Sequence, residues 1–402
     1  MKKSLLTFFL YLSAFPIFAD VVTIGGINYE LDSAEKTASV AKTNFNGDLV
    51  IPSTIVYNDE TYIVTTIGAW AFDCAGVTSV VIPNSVTNIS YSAFFGCSNM
   101  ETIVIPSSVI SIGSDAFVNC TKLNAVYITD IEAWCKIKFT SQESNPLKHA
   151  KGLYLNDELI TDITIPNGIT EIGDYVFCGY SNLKSVLINE DATSIGDYAF
   201  YGCTSLSDVN IAAGVKSIGI NSFQGCSNLK NVHIGDNVTK IGNGAFASCE
   251  ALESIVIPSK VSWIGNASFS RCTNLKSIYL GKGVTTIDSD AFKNCKSMAD
   301  FYSFPEQIPT LYNNSAFWGS SFTSTTLHVP ANLIESYQQH NVWSRFGAIV
   351  ALTDEDTAVR TISAEDVNDE YYSLDGRQIG EQSKGLIIMK NHNGKTRKVI
   401  RK

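Results

Sequence analysis

The sequence predicts a β-rich α/β repeat solenoid of about eleven coils of 23 residues, whose short strands stack into a parallel β-sheet with a cap at each end. Three observations predict it. A phenylalanine recurs every 23 residues, a leucine keeps the same step, and every repeat carries one short apolar–polar alternation. The longest unbroken run of this phenylalanine column is Phe177, Phe200, Phe223, Phe246, Phe269 and Phe292.

A period of about 20–29 residues with spaced leucine and isoleucine is the signature of leucine-rich repeats, so a right-handed leucine-rich-repeat superhelix is expected. In each unit a segment such as "LSDVNI" (206–211) predicts one strand, and "VKSIG" (215–219) predicts a second. The Gly after Ile suggests a corner with positive φ, although Ser90 and Asp288 replace it. "DYAFYGC" (197–203) predicts one helical turn that buries its Phe and Cys.

Composition limits the possible functions. Apolar residues make up 45% of the chain and charged residues 17%, which is enough for a substantial core. The net charge of −10 disfavours a nucleic-acid partner, because neutralising phosphates requires clustered Lys and Arg. Residues 1–19 read as a signal peptide, with two lysines before a short apolar run, and no later stretch is long and apolar enough to span a membrane. An exported protein is therefore expected.

The cysteines follow the repeat. Seven of the ten occupy one column, namely Cys97, Cys120, Cys203, Cys226, Cys249, Cys272 and Cys295. Disulfides between neighbouring coils are the alternative, but stacked equivalents have nearly parallel Cβ vectors, so buried free thiols are predicted. No Cys or His pair has zinc spacing, and no thiol has a partner base in a local motif. The sequence predicts no catalytic residue, metal or cofactor, and hence no enzyme.

The repeat is interrupted once. Sixty residues separate Phe117 from Phe177, which is two periods plus fourteen. This predicts an enlarged unit near residues 130–160, with Trp134 and Cys135 on a short helix. Such an enlargement is either a recognition loop or an ordinary structural variant.

Units such as "IPNSVTNISYSAFFGCSNMETIVIPSSVISIGSDAFVNC" resemble the BspA-like leucine-rich repeat surface proteins of the Bacteroides group, over roughly residues 45–350. The resemblance implies a surface location and adhesion. It also identifies "TLHVPANLIESYQQHNVWSRFGAIVAL" with the closing unit, in which Trp343 seals the last coil, and likens the tail containing Asp375-Gly376-Arg377 to a sorting segment. A plain β-hairpin is the alternative for the tail. The expected organisation is 1–19 signal peptide, 20–65 N-terminal β cap, 66–326 repeats, 327–352 C-terminal cap, and 353–402 linker plus short β segment.

Two columns of each strand point away from the core and predict a binding face. One contains the aspartates and the other contains tyrosines and a histidine, and tyrosine is a favoured interface anchor. The face is expected to be centred on Tyr279, Tyr302 and His233; the alternative is that tyrosine simply suits strands. The candidate binding residues are Tyr127, Asp162, Asp208, Asn210, His233, Tyr279 and Tyr302.

The predicted function is protein–protein interaction by a secreted or cell-surface protein, with host matrix proteins or other cells as partners. The alternatives are a carbohydrate or small-ligand binding module for nutrient capture, and a purely structural surface protein. Protein binding is preferred because the five tryptophans are scattered rather than stacked in one column. The sequence does not determine the ligand or the oligomeric state.

Overall fold

Residues 21–353 wind into a parallel β-solenoid of about 14 turns with few helices, which confirms the predicted fold class. The structure is a computed structural model. It describes residues 21–353, Asp356 and the backbone of five later strands. The predicted signal peptide and the Asp375–Arg377 segment lie outside the described residues. The phenylalanine column does not mark every coil, which is why the 23-residue period gave about eleven.

One side of the solenoid, the wide side, carries strands of three to six residues. Its strands pair in parallel, except that the ladder is interrupted after β13 and again after β21. The wide-side strands are β4 (Asn46–Val50), β7 (Gly76–Val81), β9 (Thr102–Val104), β11 (Ala125–Ile128), β13 (Gly152–Leu155), β15 (Asp162–Thr164), β17 (Ser185–Leu187), β19 (Asp208–Asn210), β21 (Asn231–His233), β23 (Ser254–Ile257), β25 (Ser277–Leu280), β27 (Asp300–Ser303), β29 (Thr326–Val329) and β30 (Ala348–Ala351).

The adjoining narrow side carries mostly two-residue strands, which also pair in parallel and are interrupted once, between β12 and β16. These strands are β6 (Glu60–Ile67), β8 (Asn88–Ile89), β10 (Ser111–Ile112), β12 (Lys138–Phe139), β16 (Glu171–Ile172), β18 (Ser194–Ile195), β20 (Ser217–Ile218), β22 (Lys240–Ile241), β24 (Trp263–Ile264), β26 (Thr286–Ile287) and β28 (Thr310–Leu311). The two-residue strands from β8 to β26 each bury their second residue, and β6 buries its last residue, Ile67, so the two sides enclose a single core.

Antiparallel strands precede the first coils. In the N-terminal segment β2 lies between β1 and β3, β3 pairs with β6, and β5 forms a hairpin with β6. These strands provide hydrogen-bonding partners for the backbone at the exposed end of the narrow side. The strands are β1 (Val21–Ile24), β2 (Ile27–Asp32), β3 (Thr37–Val40) and β5 (Thr54–Tyr57).

The third side consists of turns, and the helical turn predicted for "DYAFYGC" is wrong. Tyr201 N donates to Tyr198 O and Cys203 N donates to Phe200 O, which closes two successive β-turns. The residue two before the core phenylalanine is left-handed, with φ of 57° at Tyr198 and 62° at Tyr175. A left-handed residue ends any helical run, so the alternation of turns excludes a helix.

Two columns of side chains, one of phenylalanines and one of cysteines, are buried on the turn side. Consecutive phenylalanine rings stack with centroids 5.1–5.7 Å apart, which matches the distance between neighbouring strands. Each column cysteine donates its S–H to the phenylalanine carbonyl of the preceding coil, as from Cys203 Sγ to Phe177 O at 3.2 Å. All ten cysteines are free, and nine are buried, with Cys74 exposed. The prediction of free thiols is confirmed; their weak hydrogen bonds connect adjacent coils.

The glycine that follows isoleucine does not have the expected positive φ. This glycine instead allows the backbones of two neighbouring coils to approach each other closely. A Cβ at Gly219 would lie 2.6 Å from the carbonyl carbon of Gly196, and one at Gly113 would lie 2.4 Å from Tyr91 N. These distances are too short for a side chain, so glycine allows the backbones of neighbouring coils to stack at this corner.

The enlarged unit contains α1 (Ile131–Lys136), which Asp130 caps by accepting hydrogen bonds from Glu132 N and Ala133 N. Trp134 on this helix is buried and donates through Nε1 to Val176 O at 3.1 Å. After the helix, β13 turns into an antiparallel hairpin with β14 (Glu158–Leu159). The hairpin takes the edge that β15 would otherwise pair with, which is why the wide-side ladder is interrupted here.

Tyr180 replaces the column cysteine beside the interruption. It is fully buried, and its hydroxyl donates to Ile160 O and accepts a hydrogen bond from Leu153 N. These two backbone groups belong to the hairpin region, where a wide-side neighbour is missing. A tyrosine is long enough to reach them and a cysteine is not, so the substitution stabilises the interruption.

The last coils are closed by α2 (Ile334–Gln339) and by Trp343, which is buried against Phe301, Phe317 and Tyr337. The short 3-10 helices of the chain are Gln142–Ser144, Pro146–Lys148, Phe322–Ser324, Ala331–Leu333 and Trp343–Arg345. Farther on, five strands form a separate mixed sheet: β31 (Arg360–Thr361), β32 (Glu370–Tyr372), β33 (Gln378–Ile379), β34 (Gly385–Lys390) and β35 (Thr396–Arg401).

The buried thiols predict a loss of stability at high pH. Burial raises the pKa of Cys97 and Cys295 to about 12 and that of Cys226 higher still, whereas an unfolded thiol titrates at about 8.5. Because the folded pKa is raised, this stability is complete below about pH 8.5 and falls above it. We expect the free energy of unfolding, measured with guanidinium, to fall between pH 7.5 and 9.5. The variant Cys226→Ala should lose about 1.4 kcal/mol less over that interval; an equal loss in both proteins would contradict this explanation.

Candidate functional site

The outward residues of the wide side form one column, here called the outer column, because the register places them side by side. Val81 pairs with Val104, Val104 with Tyr127, and Tyr127 with Tyr154. In full, the outer column is Val50, Val81, Val104, Tyr127, Tyr154, Thr164, Leu187, Asn210, His233, Val256, Tyr279, Tyr302, His328 and Val350. Sequence reasoning missed Val50, Tyr154, His328 and Val350, since they lie in coils that the period did not register.

The predicted site residues do not form one patch. Asp208 and Asn210 lie on β19, and Asn210 pairs with His233. Tyr127 lies on the other side of the interruption from Asp162, with β13 and the hairpin between them. The predicted residues are therefore distributed among the N-terminal, central and C-terminal thirds of the outer column and its neighbour.

The aspartates are exposed, and neighbouring coils supply hydrogen bonds to them. Ser185 Oγ donates to Asp162 Oδ1 at 2.5 Å, and Asn231 Nδ2 donates to Asp208 Oδ1 at 2.6 Å. The hydroxyls around Asp162 lower its pKa, because they stabilise the ionised carboxylate. These side chains form a hydrogen-bonded polar ladder beside the central outer column.

Tyr279 and Tyr302 point away from the core but are not exposed, so their predicted role as accessible anchors is corrected. Tyr279 is 3% exposed and Tyr302 is 8% exposed. Their rings stack at 4.5 Å with parallel planes, and the Tyr302 ring stacks on His328 at 4.2 Å. Burial raises the pKa of Tyr279 to about 12.

Asp356, beyond the last coil, contacts this end of the outer column. After β30, Thr353 N and Oγ1 both donate to Asp356 Oδ2. Asp356 lies 3.7 Å from His328 Nδ1, while His328 Nε2 contacts Asp300 Oδ1 at 3.1 Å. Asp356, which follows the last coil, thus lies beside His328 at the outer side of the sheet. The sequence pattern of one repeat cannot predict a contact between the last coil and a residue that follows it.

The N-terminal end of the outer column remains accessible. Val50 is 69% exposed and Val81 is 37% exposed, while Val104, Tyr127 and Tyr154 are half-buried. The Tyr127 and Tyr154 rings stack with centroids 4.9 Å apart. We call these five residues the N-terminal apolar column. It runs without interruption across five paired strands.

In the described residues, metal-binding side chains do not cluster, and the column cysteines are not activated. Within residues 21–353, together with Asp356, no three His, Cys, Asp or Glu side chains converge to hold a metal ion. No helix in the same part of the chain is long and apolar enough to cross a membrane. The column thiols are held in the protonated form by burial, whereas a cysteine nucleophile requires a thiolate.

The fold and the repeat define a leucine-rich-repeat solenoid. The family model described as the BspA type leucine rich repeat region matches six copies, over residues 39–144, 150–274 and 193–324. These matches span more than half of the chain, and the protein therefore belongs to the BspA-type leucine-rich repeat family. Membership supports a protein-binding role at a surface, and leucine-rich-repeat solenoids are generally not enzymes.

Solved structures of leucine-rich-repeat and surface proteins from several bacteria are similar to this chain. A leucine rich cell surface protein from Faecalibacterium prausnitzii is 24% identical, with a TM-score of 0.42, over 83% of this chain and 95% of that one. A leucine-rich repeat protein from Bacteroides ovatus is 25% identical, with a TM-score of 0.38, over 77% and 99%. The pneumococcal vaccine antigen PcpA is 15% identical, with a TM-score of 0.47, over 84% and 99%. No curated protein matches this chain.

Burial of the C-terminal tyrosines predicts a structural rather than a surface response to mutation. Tyr302→Ala should lower the free energy of unfolding by about 3 kcal/mol, because it removes a stacked, buried ring. Leu187→Ala, in the same column but 47% exposed, should change it by less than about 0.5 kcal/mol. Chemical denaturation of both variants tests this. Equal, small effects would show that Tyr302 is accessible.

Proposed function

We propose that this protein is an exported cell-surface protein that binds a protein partner through the N-terminal apolar column, and that this binding serves adhesion to host matrix proteins or to other cells. The observation that carries the proposal is the uninterrupted row of outward apolar side chains from Val50 to Tyr154. An exposed apolar row on a strand face costs solubility unless a partner covers it. In the C-terminal half the tyrosines of the equivalent row, Tyr279 and Tyr302, are buried.

The composition of the column fits an interface. Stacked tyrosines supply large, rigid contact area with hydroxyls at the edge, and flanking valines exclude water around them. The adjacent rim is polar: Thr78 and Ser79 both donate to Asp48 Oδ1 at 2.7 Å. An apolar centre with a hydrogen-bonded polar rim is the usual anatomy of a protein–protein interface.

Export rests on the predicted signal peptide at residues 1–19 and on family membership. A sorting role for residues 353–402 belongs to the same proposal. It can be tested separately, by deleting 354–402 and fractionating the cells. Unchanged surface delivery would reject the sorting role while leaving the binding proposal intact.

A charge placed in the apolar column tests the binding face. Val81→Glu in the mature chain should weaken binding at least about tenfold, because it buries an unpaired carboxylate in the interface. Thr164→Glu is the matched control. It introduces the same charge at an exposed position of the same column beyond the interruption, and should change affinity by less than about twofold.

The measurement is biolayer interferometry of both variants against a panel of immobilised host matrix proteins and whole-cell surface extracts of neighbouring bacteria. Binding of the native chain to a defined member of the panel, lost in Val81→Glu alone, is the predicted result. Equal affinity of Val81→Glu and the native chain would reject this face.

A further inference from the structure

A second feature of the molecule lies on the turn side, away from the N-terminal apolar column. Tyr175, Tyr198 and Tyr201, called here the tyrosine cluster, are grouped on two neighbouring coils. The Tyr175 and Tyr198 rings stack with centroids 5.2 Å apart and planes 14° apart, and Tyr201 tilts against Tyr198 at 5.6 Å. All three side chains are partly exposed. The core phenylalanines of the same turns lie beneath them and are fully buried.

The backbone at two of these tyrosines is unfavourable for a large side chain. Tyr175 has φ of 62° and Tyr198 has φ of 57°. Left-handed φ is tolerated best by Gly, Asn and Asp. Equivalent turns carry those residues at Asp115, Asn221, Gly244 and Asp290, and other residues at Trp70, Ser92 and Ala267. Tyrosine at this position therefore costs conformational energy.

Carboxylates flank the rings in a fixed geometry. Asp174 Oδ1 accepts a hydrogen bond from Asp197 N at 2.7 Å, and Asp197 Oδ1 accepts one from Ile220 N at 2.6 Å. Within the described part of the chain the second oxygen of each carboxylate accepts no hydrogen bond. Burial raises the pKa of Tyr175, and the nearby Tyr198, Asp174 and Asp197 add to the effect. The rings and the carboxylates thus lie within electrostatic reach of one another.

The stack ends at Tyr198. The same column continues with Asn221 and then Gly244, so the next two coils carry no ring in this column. Asp197 precedes Tyr198 in the chain, and Asn221 follows it by one coil.

We propose that the tyrosine cluster is a binding site for a neutral carbohydrate. A sugar ring has an apolar face of C–H groups, which stacks on an aromatic ring, and hydroxyls at its edge, which donate to carboxylates and accept from amides. Asp197 and Asn221, on neighbouring coils next to Tyr198, supply a carboxylate and an amide for these hydrogen bonds. The two aspartates and the net charge of −10 disfavour acidic sugars. This site extends beyond the proposed protein-binding function and uses a different side of the solenoid.

Matched variants of the full mature chain test the site. Tyr198→Ala removes the last ring of the stack and should weaken binding at least about tenfold. Asp197→Asn keeps the Oδ1 acceptor that caps Ile220 N but replaces the second acceptor with a donor, and should weaken binding about fivefold or more. Tyr312→Ala removes an exposed tyrosine of a distant coil and should leave affinity unchanged.

The probes are neutral oligosaccharides (gluco-, manno- and galacto-oligosaccharides) with an oligogalacturonate as the acidic arm, measured by glycan array and then by titration calorimetry. Binding of a neutral oligosaccharide that is weakened by Tyr198→Ala and Asp197→Asn supports the site. The proposal is overturned if none of the neutral oligosaccharides binds at millimolar concentration. It is also overturned if the oligogalacturonate binds as tightly as the neutral oligosaccharides. If Tyr198→Ala unfolds, the result with Asp197→Asn decides.

The failure of this site and the failure of the protein-binding face can be told apart. Val81→Glu should leave carbohydrate binding unchanged, and Tyr198→Ala should leave protein binding unchanged. If Tyr198→Ala instead abolishes capture of a matrix protein while no sugar binds, the cluster is a protein contact and the carbohydrate site is rejected.

Discussion

The close stacking of coils is the constraint on which the whole structure depends. Neighbouring backbones hydrogen-bond along the wide side, the narrow side and the turns, so within each uninterrupted run of coils a side chain faces its equivalent one strand spacing away. Only residues that pack on copies of themselves fit such columns. Phenylalanine rings stack face to face, cysteine S–H groups donate to the carbonyl of the coil before, and glycine at the tight corner lets the two backbones meet.

The same constraint locates function. Because the same unit repeats along the scaffold, a ligand can distinguish one coil from the next only where a unit differs from the repeat sequence. The other such places are where the residue type in an outward column changes. The valine and tyrosine row at the N-terminal end is such a change, and so is the tyrosine pair held in left-handed turns. At the C-terminal end Tyr279 and Tyr302 are not accessible, because they are buried and their rings stack on each other and on His328.

The period predicted most of the fold from the sequence, since a buried column needs the same residue in every coil. The strands, the buried phenylalanines and the free thiols all follow from it. Features that depend on contacts between distant residues did not follow: Asp356 returning to His328, Tyr180 reaching the hairpin, and Tyr154 pairing with Tyr127 across an irregular unit. The two successive β-turns were predicted as one helical turn, because a short apolar segment has no periodicity of its own.

The stacking constraint is tested most directly at Gly219, where a Cβ would lie 2.6 Å from the carbonyl carbon of the preceding coil. Gly219→Ala should lower the free energy of unfolding by about 2 kcal/mol, because neighbouring coils must move apart. Lys216→Ala, an exposed position of the same coil, should change it by less than about 0.5 kcal/mol. Guanidinium denaturation measures both. Wild-type or greater stability of Gly219→Ala, as expected for an alanine that merely restricts the unfolded chain, would contradict the account.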